Sequence, residues 1–226
     1  MCPYTSSSHF NLQSVLLDGV NPKPLNIWLI TIILWFNIVN EKLSILRLLI
    51  ESQEVSFNIR KISLLRKINY KSAYNAIKAL EKEQVITARK IGNTTECYFN
   101  KNFNPSVFTV EHLRREELLK NIDFKVIYKK LSRIKKPLIA ILFGSYANKT
   151  ATKHSDIDIL SISDSPEDIE KELSLLALNI HHTGIRYEDF QHMLKSKELS
   201  VVSEAVKKNI LLVGIEEYYR LIQDAQ

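Results

Sequence analysis

The apolar run Leu138-Ile139-Ala140-Ile141-Leu142-Phe143, ended by Gly144-Ser145, constrains this chain more than any other feature. A short, continuous apolar run that follows a helical stretch is the pattern of a strand buried on both faces. Gly144 lets the backbone approach a ligand closely, and Ser145 adds a hydroxyl. The residues after them present free amide donors to phosphate oxygens if they open a helix. A polar turn then leads to Ser155-Asp156-Ile157-Asp158-Ile159-Leu160. In a strand, alternation puts Asp156 and Asp158 on one face, about 7 Å apart, with Ile157 and Ile159 in the core. Two carboxylates so placed can hold a divalent metal. Such a metal stabilises charge on the attacking and leaving oxygens of in-line displacement at phosphate. The pattern points to nucleotide and metal chemistry.

With 226 residues, the chain has room for two small domains, or one with appendages. Charge divides it. Residues 41–104 carry 12 basic and 6 acidic side chains, residues 105–226 carry 18 of each, and one of each precedes Glu41, so the net +6 resides in one segment. A basic segment beside a neutral one suggests a polyanion partner, most simply nucleic acid. Cys2 and Cys97 stand alone, without a pair or a histidine at ligand spacing, so neither a zinc site nor a disulfide framework is indicated. Leu25 to Val39 is apolar over 15 residues, short of the roughly 20 needed to span a bilayer. It reads as a buried or partner-facing segment, a membrane-associated one, or an upstream extension. No cleavage-site pattern follows it, a membrane partner is not expected, and the expected location is cytoplasmic. Residues 1–40 are read as an N-terminal extension.

From Glu41, Leu43, Leu46, Leu49 and Ile50 form a helix face, and a second helix is expected around Ile62 to Ile68. After Asn69-Tyr70, a third helix over Lys71 to Gln84 turns Ala73, Ile77 and Leu80 inward and Lys71, Ser72, Tyr74, Asn75 and Lys78 outward. Val85 to Arg89, a turn at Gly92-Asn93, and Glu96 to Phe99 make a hairpin. Three helices and a hairpin with Arg89 and Lys90 near its tip resemble the winged helix-turn-helix family over 41–104. Asn75 and Lys71 suit base edges, Ser72 and Lys78 suit phosphates, and cations on a wing suit the backbone. A solvated face, or a winged helix used for protein contact or dimerisation, are the competing readings. From Val107 to Lys136, Val110, Leu113, Leu118, Ile122, Val126, Leu131 and Ile134 predict one connecting helix over 105–136, stopped by Pro137. Its basic tail, Lys129, Lys130, Arg133, Lys135 and Lys136, reads as a solvated face or as a contact to nucleic acid or nucleotide.

Gly-Ser, a gap, then Asp-x-Asp on a strand resembles the DNA polymerase beta-like nucleotidyltransferase superfamily. The elements Gly144-Ser145-Tyr146-Ala147, Ala151-Thr152 and Ser155-Asp156-Ile157-Asp158-Ile159 are closest to its minimal nucleotidyltransferase branch, with the second Asp 13 residues after Ser145. The fold class expected is α+β: a winged helix-turn-helix followed, over 137–226, by a mixed sheet flanked by helices. The resemblance implies Mg²⁺ on Asp156 and Asp158 and a nucleoside triphosphate over Gly144 and Ser145. Two departures stand out. Ala147-Asn148-Lys149 replaces the usual Ala-Arg-Gly, leaving Lys149 or Lys153 to supply the charge. Leu175 to Thr183, the expected later strand, lacks the third carboxylate that many members carry there. Activation of the attacking hydroxyl then falls to His181, to a substrate group, or to nothing. His181 and His182 are read as ligands or a base, or else as partly exposed strand-end histidines. Glu188 and Asp189 are expected to open the next helix, followed by a helix at Ser203 to Asn209, a strand at Ile210 to Val213 and a closing helix.

The resemblance implies transfer of a nucleoside monophosphate, AMP from ATP, to a hydroxyl of a protein or small molecule. It also raises an antitoxin role towards a HEPN-domain toxin. The alternative is a DNA-binding transcriptional regulator whose nucleotidyltransferase domain is non-catalytic and serves nucleotide sensing or homodimer formation.

Overall fold

The LIAILF run explains itself once its neighbours are seen. In the computed structural model, which describes residues 40–53, 55–196 and 200–225, strand β4 (Ile139–Leu142) is central in a four-stranded sheet. Ile139 and Ile141 enter one apolar core, while Ala140 and Leu142 enter a second on the opposite face. Both faces are covered, which accounts for the unbroken apolar run. Cys2 and the apolar run at 25–39 lie outside the described residues. Among the described residues, no helix is long and apolar enough to cross a membrane.

The N-terminal elements are helix α1 (helical through residues 40–51), β1 (Phe57–Asn58), α2 (Ile59–Arg66), α3 (Tyr70–Lys82) and the hairpin β2 (Ile86–Ile91) and β3 (Thr94–Phe99). Asn58 and Asn69 start α2 and α3. Each side-chain oxygen accepts a 2.8 Å hydrogen bond from a backbone N–H three residues on, at Lys61 and Ser72. The second helix therefore begins earlier than its apolar spacing suggests, and it ends where Lys67 turns left-handed. β1 joins the hairpin in the order β1-β3-β2, Phe57 opposite Cys97.

The single helix expected over 105–136 is two, α4 (Pro105–Leu118) and α5 (Ile122–Leu131). Asn121 takes an extended backbone, and its side chain accepts from Asp123 N–H at 2.8 Å. A side chain that caps a new helix withdraws those residues from the previous ladder. The break also rotates the buried face. Phe124, Ile127 and Leu131 are buried, whereas Leu113, Ile122 and Val126, expected inside, are exposed. In the basic tail, Lys130 pairs with Glu172 at 2.6 Å and Lys136 with Asp168 at 2.7 Å.

After β4 come α6 (Gly144–Asn148), β5 (Ile157–Ile162), α7 (Pro166–Ser174), β6 (Ile180–Ile185), α8 (Tyr187–Ser196), α9 (Val201–Lys207), β7 (Ile210–Val213) and α10 (Ile215–Asp224). The expected strand over Leu175 to Thr183 is displaced to β6. The strand order is β6-β5-β4-β7, with β5 and β6 parallel and β4 antiparallel to both of its neighbours. The architecture is α+β with a mixed sheet. Ile45, Leu46 and Ile77 share one core with Val110, Ile141, Phe190 and Tyr219. The basic N-terminal elements and the sheet are thus packed together, not strung along a helix.

Candidate metal and nucleotide site

β4 delivers the chain to its end at Phe143, whose N–H donates to the Asp158 carbonyl at 3.1 Å. Gly144 follows at φ +68°, and a Cβ there would meet Asp158 Oδ2 at 2.2 Å. Glycine is required twice, by its left-handed backbone and by the carboxylate lying against it. Gly144 opens the five-residue α6, closed by left-handed Lys149 and by Thr150 N–H donating to the Ser145 carbonyl at 2.9 Å. Tyr146 packs edge-on against Phe124 of α5, with ring centroids 5.2 Å apart, and Ala147 is buried. In the polar turn, Thr152 N–H donates to Ser155 Oγ at 2.8 Å, which shapes the approach to β5.

Asp156 immediately precedes β5 and is exposed; Asp158 sits within it, its side chain 25% exposed. Each meets a polar partner at the start of β6. Asn179 Nδ2 donates to Asp156 Oδ1, and His181 Nδ1 lies 3.2 Å from Asp158 Oδ1. The parallel register causes this: Ile157 stands opposite Ile180 and Asp158 opposite His181, while Ile157 N–H donates to the Asn179 carbonyl at 2.9 Å. Residues facing each other across a ladder point to the same side. Asn179-x-His181 thus matches Asp156-x-Asp158 position for position. Asn179 was not singled out from sequence. Its only signal is the same two-residue spacing, which becomes meaningful once the register is known.

The two adjacent histidines separate by alternation. His181 is largely exposed, whereas His182 points to the other side and shares a 2.7 Å hydrogen bond with Ser161 Oγ. Burial lowers the His182 pKa. His182 is part of the packing beneath the sheet and not of the aspartate cluster.

The donor set suits a divalent cation, since carboxylates are hard oxygen ligands and an imidazole is a borderline nitrogen ligand. Among the described residues, no group of three or more histidine, cysteine, aspartate or glutamate side chains is placed to hold a metal ion. Asp156 and Asp158 are the residues that could hold the ion, Asp158 lying against the Gly144 turn.

Lys149 does not join this cluster. Its Nζ lies 3.6 Å from Glu51 Oε2 of α1 and helps line a cavity of about 300 Å³ with Arg47, Arg114, Glu117 and Lys208, a cavity that neither aspartate lines. Burial works against ionisation of Glu51. Hydrogen bonding from Arg47 and the charges of Arg47, Arg114 and Lys149 outweigh it and hold the carboxyl below the usual glutamate range. Lys153 is exposed in the turn that leads to Asp156. Behind the cavity, Arg114 donates to Glu111 Oε2 at 2.6 Å and to the Asn209 carbonyl, and Tyr219 O–H donates to Glu111 Oε1 at 2.6 Å. This buried network joins α4 to α10 and to the segment that enters β7.

On α3, Lys71, Tyr74, Asn75 and Lys78 are exposed along one face, opposite buried Ala73, Ala76, Ile77 and Leu80. Lys78 pairs with Glu81 at 2.7 Å. Ser72 is half-buried, its N–H taken by the Asn69 cap. Arg89 and Lys90 are exposed near the hairpin tip, with Arg89 5.7 Å from the centroid of the Tyr98 ring.

No curated protein and no solved structure matches the chain. Residues 125–218, from within α5 to within α10, match the model of the family described as Polymerase beta, Nucleotidyltransferase, and this stretch is similar to that family.

Proposed function

We propose that the protein transfers a nucleoside monophosphate, AMP from ATP, to a hydroxyl of a protein or small molecule, using a divalent cation held by Asp156 and Asp158. The observation that carries this reading is the Asp158 carboxylate set against the glycine turn at Gly144, inside the matched stretch. When bound, the cation neutralises charge on phosphate oxygens; Mg²⁺ is the ion implied by resemblance. Asp156 and Asp158 supply oxygen ligands, with Asn179 fixing the orientation of Asp156 by donating to its Oδ1. Ser145 offers its hydroxyl to the triphosphate. Incubation of purified protein with α-labelled ATP, Mg²⁺ or Mn²⁺, and a candidate acceptor tests the reading. Label transfer lost in Asp156→Ala/Asp158→Ala is expected. Equal labelling by wild type and variant would sink it, as would none with any acceptor tried, the HEPN-toxin partner included.

The order helix, strand, helix, helix, hairpin supports a winged helix at the N-terminal side. The exposed face of Lys71, Tyr74, Asn75 and Lys78, with Arg89 and Lys90 on the hairpin, supports DNA as its partner. Each phosphate contact removed flattens the salt dependence of binding by about 0.9 units of log–log slope. Lys71→Ala with Lys78→Ala is expected to do so, and an unchanged slope would remove α3 from the contact. A second reading, a DNA-binding regulator whose nucleotidyltransferase domain senses nucleotide or dimerises without turnover, is favoured by one observation. Opposite Asp158, β6 presents His181 and not a third carboxylate.

A further inference from the structure

The cavity beside α6 gathers more positive charge than its own carboxylates neutralise. Arg47, Arg114, Lys149 and Lys208 line its 300 Å³ against two acids, Glu51 and Glu117. A neighbouring cavity of about 360 Å³ shares Arg47, Glu51 and Lys149 and adds Arg66 of α2. Both carboxylates accept from Arg47, whereas Lys149 Nζ stays 3.6 Å from Glu51 Oε2. Arg66 Nε is shut off from solvent without a hydrogen-bond partner among the described residues, and burial pushes the Arg66 pKa down. A cation withdrawn from water and short of acceptors is costly, and an anion entering the recess relieves that cost. Lys149 is also held at φ +61°, a left-handed backbone that lysine rarely adopts. The backbone strain thus falls on the residue whose side chain lines both cavities.

We propose that this recess binds a small anion of linked phosphates, either inorganic polyphosphate or the phosphate chain of a nucleotide, at a site separate from Asp156 and Asp158. Guanidinium forks match phosphate oxygens, and lysine ammonium groups add point charge. The volume suits a compact ligand of this kind. Because the protein supplies the countercharge, binding needs no divalent cation, and the inference does not depend on the aspartates holding one. The bound anion bridges α1 to α6 and to Lys208, which is exposed just ahead of β7. Tyr146 and Ala147 also line the cavity and belong to the short helix that Gly144 opens, so an occupied cavity braces the turn against which Asp158 lies.

The test uses the full chain in EDTA, so that no divalent cation can hold phosphate at the aspartates. Inorganic tripolyphosphate and ATP are titrated calorimetrically at about 0.15 M salt, where long-range attraction between exposed charges is largely screened. Binding is expected to fall roughly tenfold in Lys149→Gly and again in Lys208→Ala, each losing one charge-assisted contact. Glycine suits the left-handed backbone at position 149, and melting curves check that both variants fold. Asp156→Ala/Asp158→Ala and Lys71→Ala/Lys78→Ala are expected to bind as wild type does. Equal affinities for the two probes assign recognition to the phosphate chain alone; tighter ATP assigns a nucleotide as the source, and tighter tripolyphosphate the inorganic anion. No binding in EDTA, or binding unchanged in Lys149→Gly/Lys208→Ala, would overturn the site. Binding lost in the aspartate variant would overturn it too, by returning the anion to the aspartate pair, and binding lost in the α3 variant would do so by moving the anion to that helix.

Discussion

The network of Glu111, Arg114, Asn209 and Tyr219 and the cluster of Asp156, Asp158, Asn179 and His181 use similar chemistry in opposite surroundings. In the first, Glu111 is 0% and Arg114 5% exposed, and both Glu111 oxygens already accept, from Arg114 and from Tyr219. In the second, Asp156 and His181 face solvent, and Asp158 is held in place on one side by a glycine. Buried charges must satisfy one another, because an unpaired one is costly. Carboxylates that reach solvent at the start of one strand face less of that demand and keep acceptor capacity. The difference teaches that the number of charged groups does not mark a site; what marks it is the capacity left over after neighbours have been satisfied. The buried network fastens the halves of the molecule, and the exposed cluster is available to a ligand.

The largest effect should come from breaking the fastener. Arg114→Ala leaves Glu111 buried with a single donor and is expected to cost about 3–5 kcal/mol in urea denaturation. Asp158→Asn should cost under about 1 kcal/mol, being a partly exposed surface change. Similar costs for the two would erase the comparison.

Gly144→Ala probes the point where fold and site meet. At φ +68° a side chain is strained by about 1–3 kcal/mol, and its Cβ would displace the Asp158 carboxylate. Loss of stability together with loss of cation binding is expected. A stable variant with normal binding would show that Asp158 is not positioned by this glycine.

A smaller effect concerns Glu51, which links α1 to Arg114 and Lys149. Its folded pKa lies below its unfolded one, so its contribution is fully present above the ordinary glutamate value, about 4.3, and is lost as pH falls through the folded pKa. Wild type should therefore melt above Glu51→Gln at neutral pH, with the gap closing below about pH 4. A gap that stays constant to acid pH would deny the pairing.

Much of this was legible from sequence wherever one local rule decided the outcome. Two-sided burial of β4 follows from its unbroken apolar run, and α3 from apolar residues three and four apart. The break between α4 and α5 was hidden because apolar spacing runs on through it, while the decisive event is one Asn121 side chain reaching forward to accept from the Asp123 N–H. The aspartates were visible as a pair, but their partners were not. Asn179 and His181 acquire meaning only from the β5–β6 register, and adjacent His182 is excluded only by alternation. The carboxylate partner of Lys149 likewise lies far upstream in α1, where no motif spacing reaches.

The most direct test of the central claim is binding of a non-hydrolysable α,β-methylene ATP analogue, followed calorimetrically with and without divalent cation, in wild type and Asp158→Asn. Cation-dependent binding that falls at least tenfold, about 1.4 kcal/mol, in the variant, with its melting temperature little changed, is the predicted result. Binding that ignores the cation, or is equal in the two proteins, would contradict the assignment of Asp156 and Asp158 as a metal and nucleotide site.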